Sequence, residues 1–340
     1  MTSQAMNRSQ VRFRVHGLHI LVESDWEEVL EALRLDFAWF ESDRKSSGGT
    51  DVHVLIDRMK PNFDEYGNAT ATFITPRNVV YQQPDRTIVD YFGRALSVRD
   101  RASDSLVIRG DDLHIVHEGA YQFLLSRLGE YFDEIAMPRI HGLGLAGRQG
   151  GVVVMLPSGG GKTTLALRAL KDEGVKLLSE DSPLLDKHGM LHPFPLRIGV
   201  NPTDAATLPT GHVRRIERME FHPKFALELE AFADRIESHP HPLRHLVVGR
   251  RSLGRIGRLE PLPRRAAIGT LFREAVVGVG IYQGMEFVLQ HGMRDVLGKA
   301  GIATTRATCC AAGLARARVW RLTLGRDHDS NWMALRPLLE

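Results

Sequence analysis

Val152-Val153-Val154-Met155-Leu156-Pro157-Ser158-Gly159-Gly160-Gly161-Lys162-Thr163-Thr164-Leu165-Ala166-Leu167 passes from an apolar strand pattern, through a glycine loop, into a helical pattern. Glycines let the backbone curl until successive N–H groups point at one place, where a helix N-terminus adds its positive end. The lysine closing such a loop reaches terminal phosphates, and the hydroxyl after it ligates Mg²⁺. Strand, loop, Lys-Thr and helix in this order imply a nucleoside triphosphate held by Ser158, Gly159, Gly160, Gly161, Lys162, Thr163 and Thr164. The match is to the S-G-x-G-K-[ST] core, because Leu156 stands where G-x-x-x-x-G-K-[ST] has its first glycine. The competing reading is a glycine-rich turn that joins a strand to a helix and leaves Lys162 solvated.

A phosphate loop needs acidic partners, since Mg²⁺ prefers carboxylates and water and phosphoryl transfer to a hydroxyl profits from a proton acceptor. The apolar strand pattern Val175-Lys176-Leu177-Leu178 leads into Glu180-Asp181. In open α/β sheets, ligands gather at the carboxyl ends of strands. Asp181 is therefore expected at Mg²⁺ or its water shell and Glu180 at the acceptor as the base. The alternative is a solvated turn or a helix N-cap.

Upstream, alternation over Val11–Val15 and Leu18–Val22 predicts a hairpin, and Asp25 is placed to cap a helix through Trp26, Val29, Leu33 and Phe37. Short strand patterns follow over residues 52–116, ending with Leu113-His114-Ile115-Val116, and predict an antiparallel sheet. A long helix is expected from about Gly119 to Met137, stopped by Pro138. Downstream, the pattern predicts strands at 140–145, 152–156, 246–248 and 319–324 and helices near 266–277 and 332–339. The apolar run Val276–Ile281 reads as core, since Gly278 and Gly280 lack the rest of a dinucleotide fingerprint. The expected organisation is an N-terminal α+β domain over 1–135, with a substrate- or partner-binding role open to it, and a nucleotide-binding α/β domain over 136–340.

Lys plus Arg (44) nearly balances Asp plus Glu (41), so charge gives no case for nucleic acid. No basic segment leads into an apolar one at the N-terminus, and no apolar run approaches a membrane span of roughly 18 residues. The two cysteines, Cys309 and Cys310, are adjacent and complete no zinc pattern. The expectation is a cytoplasmic protein without membrane or nucleic-acid partners, its oligomeric state open, a homo-oligomer included.

Over residues 138–200 the chain resembles the C-terminal domain of HPr kinase/phosphorylase and its relatives. The shared order is His141-Gly142, the Ser158–Thr163 core, then an acidic pair at Glu180-Asp181. A weaker likeness to relatives from peptide-modification gene clusters covers Leu177–Asp186, Pro193–Arg197 and Arg318–Leu324. The resemblance implies a PEP-carboxykinase-like P-loop kinase domain using ATP and Mg²⁺. It implies that Glu180 matches the catalytic carboxylate, usually Asp, that deprotonates a serine hydroxyl. Asp181 matches its acidic neighbour, and His141 a histidine near the transferring phosphate. The R-G-[LI]-G-[IL] segment of true HPr kinases has no full counterpart here, and the N-terminal region does not resemble their regulatory domain.

The expected activity is transfer of a γ-phosphoryl group to a serine of a small protein or peptide, with Glu180, His141 and Lys162 catalytic and Thr163 and Asp181 at the metal. Two rivals stand beside it: a nucleotide-binding or ATPase module that captures a precursor peptide, and a small-molecule kinase. ATP and pyrophosphate both remain candidates as donor. Arg244, His245, Arg250, Arg251, Arg255 and Arg258 crowd one stretch and read equally as an anion-facing segment or a solvated strand edge. Arg197, shortly beyond the acidic pair, is a further anion-binding candidate.

Overall fold

A computed structural model of the chain describes residues 8–42, 49–157, 159–200, 211–217, 224–277 and 293–340, with side chains of the last segment from 300 onward. Ser158, and residues 278–281 of the apolar run beginning at Val276, lie outside the described residues. The architecture is mixed α/β with several sheets. Its described residues divide into two compact units, the first with 8–128, 199–200, 211–217 and 224–228, the second with 129–198, 229–277 and 293–340. The boundary read at 135–136 lies just beyond the end of the first stretch at 128, and the described residues of 199–228 are counted with the first unit.

In the first unit, β1 (Ser9–Val15), β2 (Leu18–Ser24), β3 (Val52–Arg58), β4 (Phe73–Ile74), β5 (Val79–Gln82), β6 (Arg86–Asp90), β7 (Ala95–Asp100) and β8 (Ser105–Gly110) form one sheet in the order β1-β2-β3-β8-β7-β6-β5-β4. The sheet is mixed and not antiparallel throughout, because β2–β3 and β3–β8 pair in parallel. The helix α1 (Glu27–Asp36) is a crossover between β2 and β3, and a crossover returns the chain in the same direction. Asp25 does not cap α1. Its Oδ1 accepts the Arg58 N–H at 2.8 Å, while Ser24 Oγ accepts the Trp26 N–H at 2.9 Å.

The alternating Leu113–Val116 is also not a strand, but the first turn of α2 (Leu113–Glu134). The Asp112 carboxylate accepts the N–H groups of His114 and Ile115, which caps that turn and overrides β-propensity. α2 closes before Pro138: Met137 N–H donates to Phe132 O and Ala136 N–H to Asp133 O, with Ala136 at φ 54°. This is a Schellman closure with alanine in the left-handed position.

The second unit is built on a sheet containing β9 (Leu143–Gly147), β10 (Gly150–Met155), β11 (Lys176–Ser179), β12 (Leu184–Leu185) and β13 (Met190–His192). Three short strands, β14 (Ile198–Val200), β15 (Val213–Ile216) and β16 (Lys224–Leu227), form a separate sheet in the order β14-β16-β15, which apart from Ile198 is counted with the first unit. The main sheet is completed by β17 (His241–Arg251), β18 (Arg258–Leu262) and β19 (Arg318–Leu324). Its central order is β11-β9-β10-β17, with β19 on β17 and β18 on β19. Every residue of β10 is buried, as its unbroken apolar pattern requires.

Val153 and Met155 share a core with Ala267, Leu271 and Ala275 and with Cys310 and Ala317. The first three belong to α4 (Arg265–Leu271) and the π-helical turn Phe272–Val277 that continues it; Cys310 belongs to α5 (Met293–Arg316). Here α3 (Lys162–Ala169) packs on β9 and β11, and α6 (His328–Leu335) on β18 and β19. Cys309 and Cys310 are free and buried in α5, and burial first of all pushes their thiols up to about 11 and about 12. Among the described residues no helix is long and apolar enough to cross a membrane.

Candidate active site

Strand direction alone assembles the site. β9 is antiparallel to both β10 and β11, so the ends of β10 and β11 and the start of β9 meet at one edge of the sheet. The glycine loop leaves β10, Glu180-Asp181 leaves β11, and His141 precedes β9. Gly142 N–H donates to Asp181 O at 2.9 Å, and His141 N–H to Glu274 O at 3.0 Å, which fixes these segments side by side.

The loop turns on a Gly160 N–H to Pro157 O bond of 2.8 Å. Gly159 and Gly161 have φ of 71° and 109°, in the left-handed region that side chains avoid. Gly161 is the N-cap of α3, and Lys162 is the first helical residue. The N–H groups of that first turn lack intrahelical partners, which suits them to an anion.

Leu156, at the place of the missing glycine, is 1% exposed. A Cβ on Gly249 of β17 would meet Leu156 Cδ2 at 2.3 Å and Cγ at 2.6 Å, so the leucine occupies room that this distant glycine provides. The departure from the motif is a packing exchange. Leu156→Gly, although it restores the pattern, is expected to cost at least about 3 kcal/mol through the cavity it leaves. Denaturant unfolding measures this, and an unchanged midpoint contradicts it.

Lys162 is buried, with Nζ 2.7 Å from His141 Nε2, 3.2 Å from Leu156 O and 3.3 Å from Asp181 Oδ1. His141 Nδ1 lies 2.6 Å from Glu274 Oε2, whose other oxygen accepts Arg273 Nε–H at 2.7 Å. These contacts set the tautomer: Nδ1–H donates to Glu274, and the Nε2 lone pair accepts from Lys162. Thr163 Oγ1 donates to Glu180 Oε1 at 2.5 Å.

The structure thus brings together His141, Lys162, Thr163, Glu180 and Asp181, with Gly159–Gly161 beside them. It separates the two acids by their contacts: Glu180 meets the threonine hydroxyl, and Asp181 the lysine and histidine. Glu274 was not singled out by the spacing of the sequence. The available signal was an acidic residue at core-facing spacing with Ala267 and Leu271, and it is 4% exposed. His245, counted in the basic stretch, is a buried structural residue that accepts Trp320 Nε1–H at 3.0 Å; burial and then Arg318 hold it below the ordinary imidazole value.

Burial works against a charged His141, but Asp181 first and Glu274 after it outweigh burial and Lys162, so the imidazole lies above its ordinary value. Asp181 meets the same burial cost, and His141 and Lys162 hold it below the usual carboxylate range. The raised histidine contributes stability below its unfolded value, near pH 6.5, that is lost as pH rises through its folded value. The lowered Asp181 contributes above about pH 4, and loses it as pH falls through its own folded value. Histidine NMR should place the His141 titration above about 6.5, and Asp181→Asn should bring it down. A titration that does not move in that variant contradicts the coupling.

Mg²⁺ takes oxygen ligands and keeps several for water and phosphate. The Thr163 hydroxyl and Glu180 carboxylate fit that chemistry, and the Thr163–Glu180 bond turns the hydroxyl lone pairs away from the carboxylate. Among the described residues no set of three or more His, Cys, Asp or Glu forms a metal cage. Neither known protein-family models nor curated protein sequences give a match to this chain.

Proposed function

We propose that the second unit is a P-loop phosphotransferase domain of the PEP-carboxykinase-like type, moving the γ-phosphoryl group of ATP to a serine hydroxyl of a small protein or peptide. The observation that carries this is the convergence, at one sheet edge, of a glycine loop, a buried lysine, a threonine–carboxylate pair and a histidine–aspartate pair. The likeness of His141-Gly142, Ser158–Thr163 and Glu180-Asp181 to the HPr kinase order supplies the serine acceptor.

In this reading the amides of the loop and of the first turn of α3 receive the phosphates, and Lys162 neutralises charge that develops on them. Thr163 and Glu180 would hold Mg²⁺, which would supply screening of the phosphate charge. Asp181, half-exposed and held ionised, accepts the proton of the attacking hydroxyl. This exchanges the roles that sequence order assigned to the two acids. His141, oriented by Glu274, keeps Lys162 and Asp181 in register. Catalysis comes from positioning and charge, as a loose phosphoryl transition state allows.

The test is incubation with γ-labelled ATP, Mg²⁺ and serine-containing polypeptides. Label should reach serine; label found only as free phosphate supports the ATPase rival and overturns transfer. Asp181→Asn should lower transfer about 100-fold with nucleotide affinity retained, whereas loss in Glu180→Gln should be partly recovered by excess Mg²⁺. Wild-type transfer by Asp181→Asn would refute the base assignment.

A further inference from the structure

The turn joining β17 to β18 has no role in the chemistry above. Residues 250–256 are all exposed, with Leu253 at 91% and Ile256 at 64%. Around these two aliphatic side chains stand Arg250, Arg251, Arg255, Arg258 and Arg326, all exposed. Among the described residues none of the five arginines has a carboxylate within ion-pair distance; Arg250 Nε–H bonds Thr323 Oγ1 at 3.0 Å. Packing so much unpaired positive charge together works against the fold through self-repulsion.

The turn is nevertheless well built. Ser252 N–H donates to Leu324 O at 2.8 Å, Arg326 N–H to Gly254 O at 2.9 Å and Asp327 N–H to Arg255 O at 3.0 Å. Gly257 N–H donates to Ser330 Oγ at 3.0 Å, and Asn331 binds both the N–H and the carbonyl of Gly325 at 2.7 and 3.0 Å. A tip anchored by this many bonds presents its side chains with little ordering entropy left to lose on binding. Arg251 also lines one small cleft with Gly160, Gly161 and His328, so the tip borders the glycine loop.

We propose that the tip of this turn docks an acidic, aliphatic segment of the phosphoryl acceptor. The inference rests on the transferase reading and adds the acceptor's chemistry to it. Unpaired arginines call for carboxylates, bidentate where geometry allows. Leu253 and Ile256 call for apolar side chains between those carboxylates. A single-stranded nucleic acid is the less suitable occupant, because it is held by aromatic stacking and residues 250–258 contain no aromatic side chain.

The experiment uses the full chain and fluorescence anisotropy. The probes are a labelled serine peptide of alternating Glu and Leu, its Lys-for-Glu counterpart, a single-stranded DNA and phosphatidylserine vesicles. The Glu/Leu peptide should bind at least about tenfold more tightly than the Lys/Leu peptide, and less tightly as salt rises. Arg255→Glu with Arg258→Glu should weaken that binding about tenfold or more. Leu253→Ser with Ile256→Ser should weaken it several-fold, and ATP binding should be unchanged in both. Equal peptide binding by the charge-reversed variant, or preferential capture of DNA or vesicles, overturns the dock. If transfer to the peptide proceeds equally in wild type and charge-reversed protein, the dock falls and the transferase reading stands. If the peptide binds at the tip and never receives phosphate, the dock stands and the transferase reading falls.

Discussion

Lys162→Met should lower phosphoryl transfer about 100- to 1000-fold, equivalent to about 3–4 kcal/mol of barrier, the loss seen when one preorganised electrostatic donor is removed. The ammonium is held in the wild-type protein by His141, Leu156 O and Asp181, so no search for its position precedes reaction. Methionine keeps the stem and removes the charge, which separates electrostatics from packing. The same substitution leaves Asp181 facing His141 without Lys162, and the imidazole should rise further. A variant with wild-type transfer would remove Lys162 from the chemistry.

Arg306→Met should destabilise the fold by about 3–5 kcal/mol, measured by denaturant unfolding, because it strands a buried carboxylate. Arg306 forms a bidentate pair with Asp133, Nε to Oδ1 at 2.8 Å and Nη2 to Oδ2 at 2.6 Å, and both side chains are at most 10% exposed. Its Nη1 also donates to Val276 O at 3.1 Å. One guanidinium therefore ties the end of α2 and α5 to the π-helical turn that carries Glu274. Adding Asp133→Asn should recover part of the stability, since the stranded charge is what costs most. A loss below about 1 kcal/mol in the single variant would mean that the pair is effectively solvated.

What could be read from the chain follows the reach of each interaction. The strand, glycine loop and helix at 150–169 are set by neighbours a few residues apart, so spacing sufficed. The position of Glu180-Asp181 followed from a topological rule about strand ends. Three features were out of reach. Leu156 fits only because Gly249, on another strand, lacks a Cβ. Glu274 joins His141 across 133 positions, and no local pattern announces that contact. Leu113–Val116 alternates like a strand, and the Asp112 cap with the following helix decides otherwise. Which acid meets Thr163 and which meets Lys162 and His141 also needed coordinates, because adjacent residues differ in direction by side-chain geometry and not by order.

The most direct measurement is a crystal structure of the protein with Mg²⁺ and a non-hydrolysable ATP analogue. The triphosphate should lie on the amides of Gly160 to Thr163, with Lys162 Nζ on its terminal phosphates and Mg²⁺ against Thr163 Oγ1 and the Glu180 side. A nucleotide bound elsewhere, or none bound at saturating concentration, would contradict the account.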